Sequence, residues 1–242
     1  MSSIAYSPAQ RRPDPRISVN DLALFMVSSD TARMGIVRRA KYPQKPPIIR
    51  YRDVRSLICE YLADPMRRVN RIVDAEQMFQ QRIDDPATRD LARDDARHSI
   101  EVLHSLQGMG NQLAPYDFHA APRDQGKLVL SGVEVSVRAD LLVHGTARGV
   151  QQIGAAVLRM TMDDTDTEAA RQKRREMGLY VATMARMHVD QNIDSDRMPT
   201  NRLCLAIDVQ HGEVFVAPNS NTRRTNDIEN ACRVIAALWP SL

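Results

Sequence analysis

The chain is poor in the residues that would commit it to a covalently stapled or membrane-bound architecture. Only three cysteines, Cys59, Cys204 and Cys232, occur in 242 residues. None belongs to a CxxC pair, and no histidine stands near them at metal-ligand spacing. This argues against a disulfide framework or a zinc knuckle, and the thiols read as reduced, mostly buried side chains. No apolar run approaches the ~18–20 residues that a membrane helix needs. The opening residues, MSSIAYS, lack the charged-then-apolar pattern of a secretory signal. A cytoplasmic location without a membrane partner is therefore expected. A glycine-rich phosphate loop and a nucleophile elbow are also missing. The six histidines (His98, His104, His119, His144, His188, His211) show no ligand spacing in sequence and read as surface or capping residues.

What is present suits an ordinary folded protein. Hydrophobic residues make up 43% and charged residues 26%, with a net charge of +3. That balance permits a nucleic-acid partner without demanding one. Residues 1–17 are rich in Ser, Pro and Arg and read as a mobile tail. Residues 18–125 read as helical: a start with Asn20 as N-cap, a second helix from Ser29 or Asp30 to about Arg39, and a break at the prolines of 42–47. Helical spacing then runs from Arg52 to about Gly108, with a fresh start at Asp85-Pro86.

After residue 126 the periodicity changes from helical to alternating. A short strand at 127–130 and a turn at Ser131-Gly132 precede VEVSVRADLLVH at 133–144. There Val133, Val135, Val137, Ala139, Leu141 and Val143 share one face. A third strand spans 151–160, one long helix 167–190, a second hairpin 203–217 around His211-Gly212, and a closing helix 226–238. A helix crossing between strands implies at least one parallel pair. The expected fold is α/β, a mixed central sheet of about five strands flanked by helices. Residues 126–242 form its core, 18–125 pack on it, and 18–242 are one continuous domain.

The 133–144 and 151–160 hairpin, with a carboxylate set among apolar neighbours at Asp140, resembles the central hairpin of the PD-(D/E)XK nuclease superfamily. The resemblance covers roughly residues 50–238 and implies a restriction-endonuclease-like fold. In that superfamily an Asp on one strand and an Asp or Glu on the next hold Mg²⁺, and a Lys two residues on orients the attacking water. Hard cations need such oxygen donors, and the metal stabilises charge on the phosphoryl oxygen. Asp140 fits the first acid. The next strand carries Ala155 and Val157, or Ala156 and Leu158 in the shifted register, where the second acid and the Lys belong. No carboxylate lies between Asp140 and Asp163. Arg159 is a displaced cation suited to holding phosphate, but a guanidinium is a poor base. Glu176 and Tyr180, four apart on the long helix, resemble the superfamily's QxxxY signature with Glu for Gln. Glu60, with Glu101 as a rival, matches the first-helix acid that some branches use as a further metal ligand.

Residues 31–55 carry eight basic side chains (Arg33, Arg38, Arg39, Lys41, Lys45, Arg50, Arg52, Arg55) against one acid, Asp53. Tyr42 and Tyr51 are interleaved, a pattern suited to phosphate tracking and base stacking. Lys173 belongs to a smaller basic cluster beside Glu176. Three functions follow. The first is a nuclease-like protein with a degenerate metal site, serving as a nucleic-acid-binding or structural subunit of a nucleic-acid-processing or defence system. The second is an active, divergent Mg²⁺-dependent nuclease using Asp140 with Glu176 or Glu60. The third is a protein-interaction module using segment 31–55 on an acidic partner; a protein partner or a homo-oligomer is expected in any case. Mg²⁺ is the implied cofactor only for the second.

Overall fold

The computed structural model describes residues 11–44, 48–160 and 165–242. Its backbone is two sheets and eight helices. The larger sheet is mixed and six-stranded. Its main path runs β2 (Asp117–Ala120), β5 (Leu141–Ala147), β6 (Val150–Arg159), β8 (Leu205–Asp208) and β9 (Glu213–Val216). The sixth strand, β7 (Met198–Pro199), pairs with β6 just ahead of β8. The smaller sheet orders β1 (Arg16–Ser18), β4 (Val133–Ser136) and β3 (Leu128–Leu130). The expected α/β class, with a mixed sheet flanked by helices, is what the structure has.

β6 is the spine. Its register is antiparallel to β5 and parallel to β8, and the β6–β8 connection is the long helix α7 (Glu168–Asn192). Both faces of β6 are covered, so it reads as a continuous apolar run rather than an alternating one. Ile153, Ala155 and Val157 enter one core; Ala156, Leu158 and Met160 enter the other. The first core lies beneath α1 (Val19–Met26), α2 (Asp30–Lys41), α7, α8 (Thr222–Leu238) and the small sheet. The second lies beneath α3 (Arg52–Leu62), α4 (Asn70–Asp84), α5 (Asp90–Gly108) and the short α6 (Gly110–Leu113).

Local chemistry sets the joints. Two-residue hairpin turns occur at Ser131-Gly132 and Arg148-Gly149, all four residues with positive φ, the pairing that matches strand twist. α7 starts where the Thr167 hydroxyl accepts the Ala170 N–H at 3.2 Å. Trp239 is buried in the first core, and its indole N–H donates to the carbonyls of Arg12 and Pro13 at 3.3 and 3.2 Å.

Several expectations need correction. Arg16–Ser18 is not tail: it pairs in parallel with Glu134–Ser136. The first helix is capped by Ser18, not Asn20, through a 3.1 Å bond from the Asp21 N–H. Pro86 does not open a helix. Asp85 accepts the Ala87 N–H and makes a turn, and α5 begins only at Asp90. The last helix starts at Thr222, four residues earlier than expected. β2, within the region read as helical, is the sheet's edge. Finally, the strand expected over 133–143 is two strands in two sheets, broken at 137–140. Its buried residues keep the same parity throughout, yet Val133 to Ala139 enter the first core and Leu141 and Val143 the second. The break is held by the Gln125 side chain, which accepts the Ala139 N–H and donates to the Ala139 carbonyl, both at 2.9 Å.

Between β7 and β8 a 3-10 turn at Asn201–Leu203 passes directly over Gly154 of β6. A Cβ there would overlap the Leu203 carbonyl, a backbone group that cannot swing away. Gly154→Ala is expected to destabilise the fold by about 2–4 kcal/mol, seen as a lowered midpoint of thermal unfolding. An unchanged midpoint would show that the turn yields.

Candidate functional site

Asp140 sits where the chain leaves the small sheet for the central one. Its N–H donates to the Ala156 carbonyl at 2.9 Å, which starts the β5–β6 ladder. Its carboxylate is 5% exposed and fully engaged. Arg55 Nη1 donates to Oδ1 at 2.8 Å and to Oδ2 at 2.7 Å, and the Leu158 N–H donates to Oδ2 at 2.7 Å. The cation is Arg55 of α3. The β6 positions next to this carboxylate are Ala156 and Leu158, both buried in the second core. Neither offers an oxygen or an ammonium group.

Arg55 is aimed by the start of α3. Tyr51 holds a left-handed backbone, φ 59, with its N–H donated to Asp95 Oδ1 at 2.8 Å and its ring buried. That costly conformation is fixed by its surroundings and sets the direction of the first turn. Arg52 and Arg55, three apart, then share a helix face. They line a cleft of about 690 Å³ with Arg50, Arg123 and Arg138, so five arginines face two carboxylates, Asp140 and Glu60. Arg50 is paired with Asp94 at 2.7 Å. Arg52, Arg123 and Arg138 make no side-chain hydrogen bond or ion pair among the described residues. Glu60 is exposed and 3.7 Å from Arg71. Cys59 lines the same cleft; burial, and then the Asp140 charge, push its thiol up to about 12.

The remaining candidates are dispersed. Glu176 is bound to Arg224 of α8 at 2.9 Å, and that guanidinium lies 4.8 Å from the centre of the Tyr180 ring. Both face α8, in the layer across the sheet from α3, so the structure does not bring them to Asp140. Arg159 is buried against Asp208, 3.1 Å away across the parallel β6–β8 pair. Burial lowers its pKa, with Asp208 opposing, and it does not reach the cleft. Lys41 is buried, its Nζ donating to the carbonyls of Trp239 and Leu242 at 2.5 and 3.0 Å, so it is unavailable to a ligand. Arg33 donates to the Phe25 and Met26 carbonyls at the end of α1. Arg38, Arg39 and Lys173 are exposed, but α2 and α7 lie across the sheet from the cleft. Tyr51 is buried and Tyr42 donates to the Leu242 carbonyl at 3.1 Å, so neither is a free stacking platform. Lys45 falls outside the described residues.

A second cluster escaped the sequence reading. Asp117, His119 and His144 place one donor atom each within 4.8 Å of one another. His119 Nε2 lies 2.9 Å from Asp117 Oδ2, and the two imidazoles stack with centroids 3.9 Å apart. Burial, His119 and Arg197 lower the His144 pKa, outweighing Asp117 and Asp196. The only sequence signal is the Asp-x-His alternation at 117–119, which means nothing until β2 is recognised and paired with β5.

No family model and no curated protein matches the chain. Among the described residues, no helix is long and apolar enough to cross a membrane.

Two outcomes are expected. Removing Arg55 strands a buried carboxylate that keeps one backbone donor. Arg55→Ala should cost about 1–3 kcal/mol in denaturant unfolding, below a fully buried pair because Arg55 is 38% exposed. Equal stability would show that water replaces the guanidinium. Second, burial pushes all three thiols to about 12. At pH 8 only roughly one part in 10⁴ is the reactive thiolate. A disulfide reagent should label native protein slowly and unfolded protein at once; rapid native labelling would contradict this.

Proposed function

We propose that this chain is a PD-(D/E)XK nuclease-like protein whose metal site has given way to an arginine–carboxylate clamp. It binds nucleic acid through the arginine-lined cleft, as a binding or structural subunit of a nucleic-acid-processing or defence system. The observation that carries this is the state of Asp140. A guanidinium bonds both carboxylate oxygens where a divalent ion would sit, and the adjacent strand positions are a methyl and an isobutyl group. Mg²⁺ normally takes one or two carboxylates plus substrate oxygens, and Asp140 is already committed. The cleft retains what phosphate binding needs. Its side chains are long, cationic and mostly uncommitted, and guanidinium geometry matches a phosphate oxygen pair.

The interaction-module reading through 31–55 is weaker because the segment is not one surface. Lys41 and Arg33 serve the interior and the end of a helix. Arg38 and Arg39 lie in the layer opposite Arg50, Arg52 and Arg55. The active-nuclease reading retains Glu60 as the one further carboxylate in the cleft, and it requires Arg55 to leave Asp140.

Fluorescence anisotropy with labelled single- and double-stranded DNA and RNA tests the proposal. Binding that engages three phosphates of a duplex should weaken roughly 40-fold between 50 and 200 mM salt. The double variant Arg52→Glu, Arg138→Glu should lose more than about tenfold, because two phosphate contacts become repulsive. Incubation with Mg²⁺ or Mn²⁺ should produce no cutting beyond a chelator control. Metal-dependent cleavage that disappears in Asp140→Ala would establish the active reading instead. Absence of binding to all four substrates would remove the cleft as a nucleic-acid site.

A further inference from the structure

Asp117 and His119 project from β2, the edge strand, with Phe118 between them turned into the second core. His144 stands directly opposite Asp117 in the β2–β5 register. Period-two alternation therefore puts all three side chains on one face of the sheet, at its open border. The ladder holds the three Cβ atoms at fixed spacing, so side-chain rotation alone brings the donor atoms together.

We infer that Asp117, His119 and His144 form a binding site for one divalent transition-metal ion of the zinc class, with a coordination position left open to solvent. The donor set is two imidazole nitrogens and one carboxylate oxygen. That mixture suits zinc and its neighbours and does not suit Mg²⁺ or Ca²⁺, which take oxygen donors. Zn–N and Zn–O bonds of about 2.0–2.2 Å put tetrahedral ligand atoms roughly 3.3 Å apart. Asp117 Oδ2 and His119 Nε2 are already 2.9 Å apart, and His144 must close only from within 4.8 Å. Arg197 and Asp196, of opposite sign, are the further charges that act on His144. Side-chain exposures of 69% for Asp117 and 44% for His119 give the ion access from solvent. Three protein ligands plus one open position is the pattern of zinc sites that bind water or a ligand; structural sites are closed by four.

This site is independent of the arginine cleft. Its three side chains share a face with Leu142, which packs on the first core, whereas Arg55 belongs to α3 beneath the other face. The experiment is calorimetric titration of the full, tag-free chain with Zn²⁺ alone, paired with Co²⁺ uptake followed by its visible absorption. One equivalent should bind with a tetrahedral or five-coordinate cobalt spectrum. His144→Ala and Asp117→Asn should each weaken uptake by more than about tenfold, because each removes a ligand. Both residues are solvent-accessible, and circular dichroism verifies that the variants fold. His104→Ala, which removes an exposed histidine paired with Glu76 on the helical layer, should leave uptake unchanged. Arg52→Glu with Arg138→Glu should also leave it unchanged, so failure of the cleft and failure of this site are read separately. The inference is overturned if wild-type chain takes up no ion saturably, or if uptake survives both ligand variants.

Discussion

The chain must pass from a three-stranded sheet into a six-stranded one, and from one core to the other, and it does so at Asp140. The turn over 137–140 lacks a regular ladder. The Ala139 N–H and carbonyl are satisfied instead by a side-chain amide, Gln125, and the Asp140 carboxylate by an amide of the next strand and a guanidinium from α3. One buried charge thus ties three elements: the β4–β5 crossing, the spine strand β6 and the first helix of the second layer. Desolvating a carboxylate costs several kcal/mol unless it is hydrogen-bonded and paired. Asp140 meets that condition only in this arrangement, which makes the crossing specific as well as tolerable.

The same clamp organises the surface above it. Arg55 is partly spent on Asp140, while the arginines around it remain largely uncommitted, so the cleft keeps a positive field although it contains two acids. Elsewhere, cations are drawn inward to structural tasks. Lys41 is buried against carbonyls and Arg159 against Asp208. Net charge along a segment is therefore a poor guide to where charge meets solvent. The 31–55 run contributes to the interior, to a helix end and to two opposite layers.

Sequence pattern located the elements whose apolar period is long: β6, α7, the second hairpin and the parallel crossover. It missed the division between β4 and β5 because burial parity runs unbroken from Val133 to Val143, although the partners change from one core to the other. It missed β2 because four edge residues, three of them not buried, leave too short an alternation. At the site, Asp140 was legible as a carboxylate among apolar neighbours, and so was the lack of any carboxylate on the strand that follows it. Its partner was not, because Arg55 lies 85 residues away and looked like one basic residue among eight. Asp117, His119 and His144 were invisible for a related reason: cross-strand register, not spacing along the chain, brings them together.

The molecule has a single tryptophan, and it lies in only one of the two cores. Trp239 is stitched to the segment at Arg12 and Pro13, under α2, where Lys41 grips its carbonyl. Its emission consequently reports on the layer of α1, α2, α7 and α8, and is blind to α3, α4 and α5. Of these, α3 lines the cleft. A loosening of the arginine-bearing layer alone would dim the helical signal in circular dichroism while the indole stayed dark to it. The sheet between the layers is thus also an optical partition, and two probes read side by side distinguish one core opening from both.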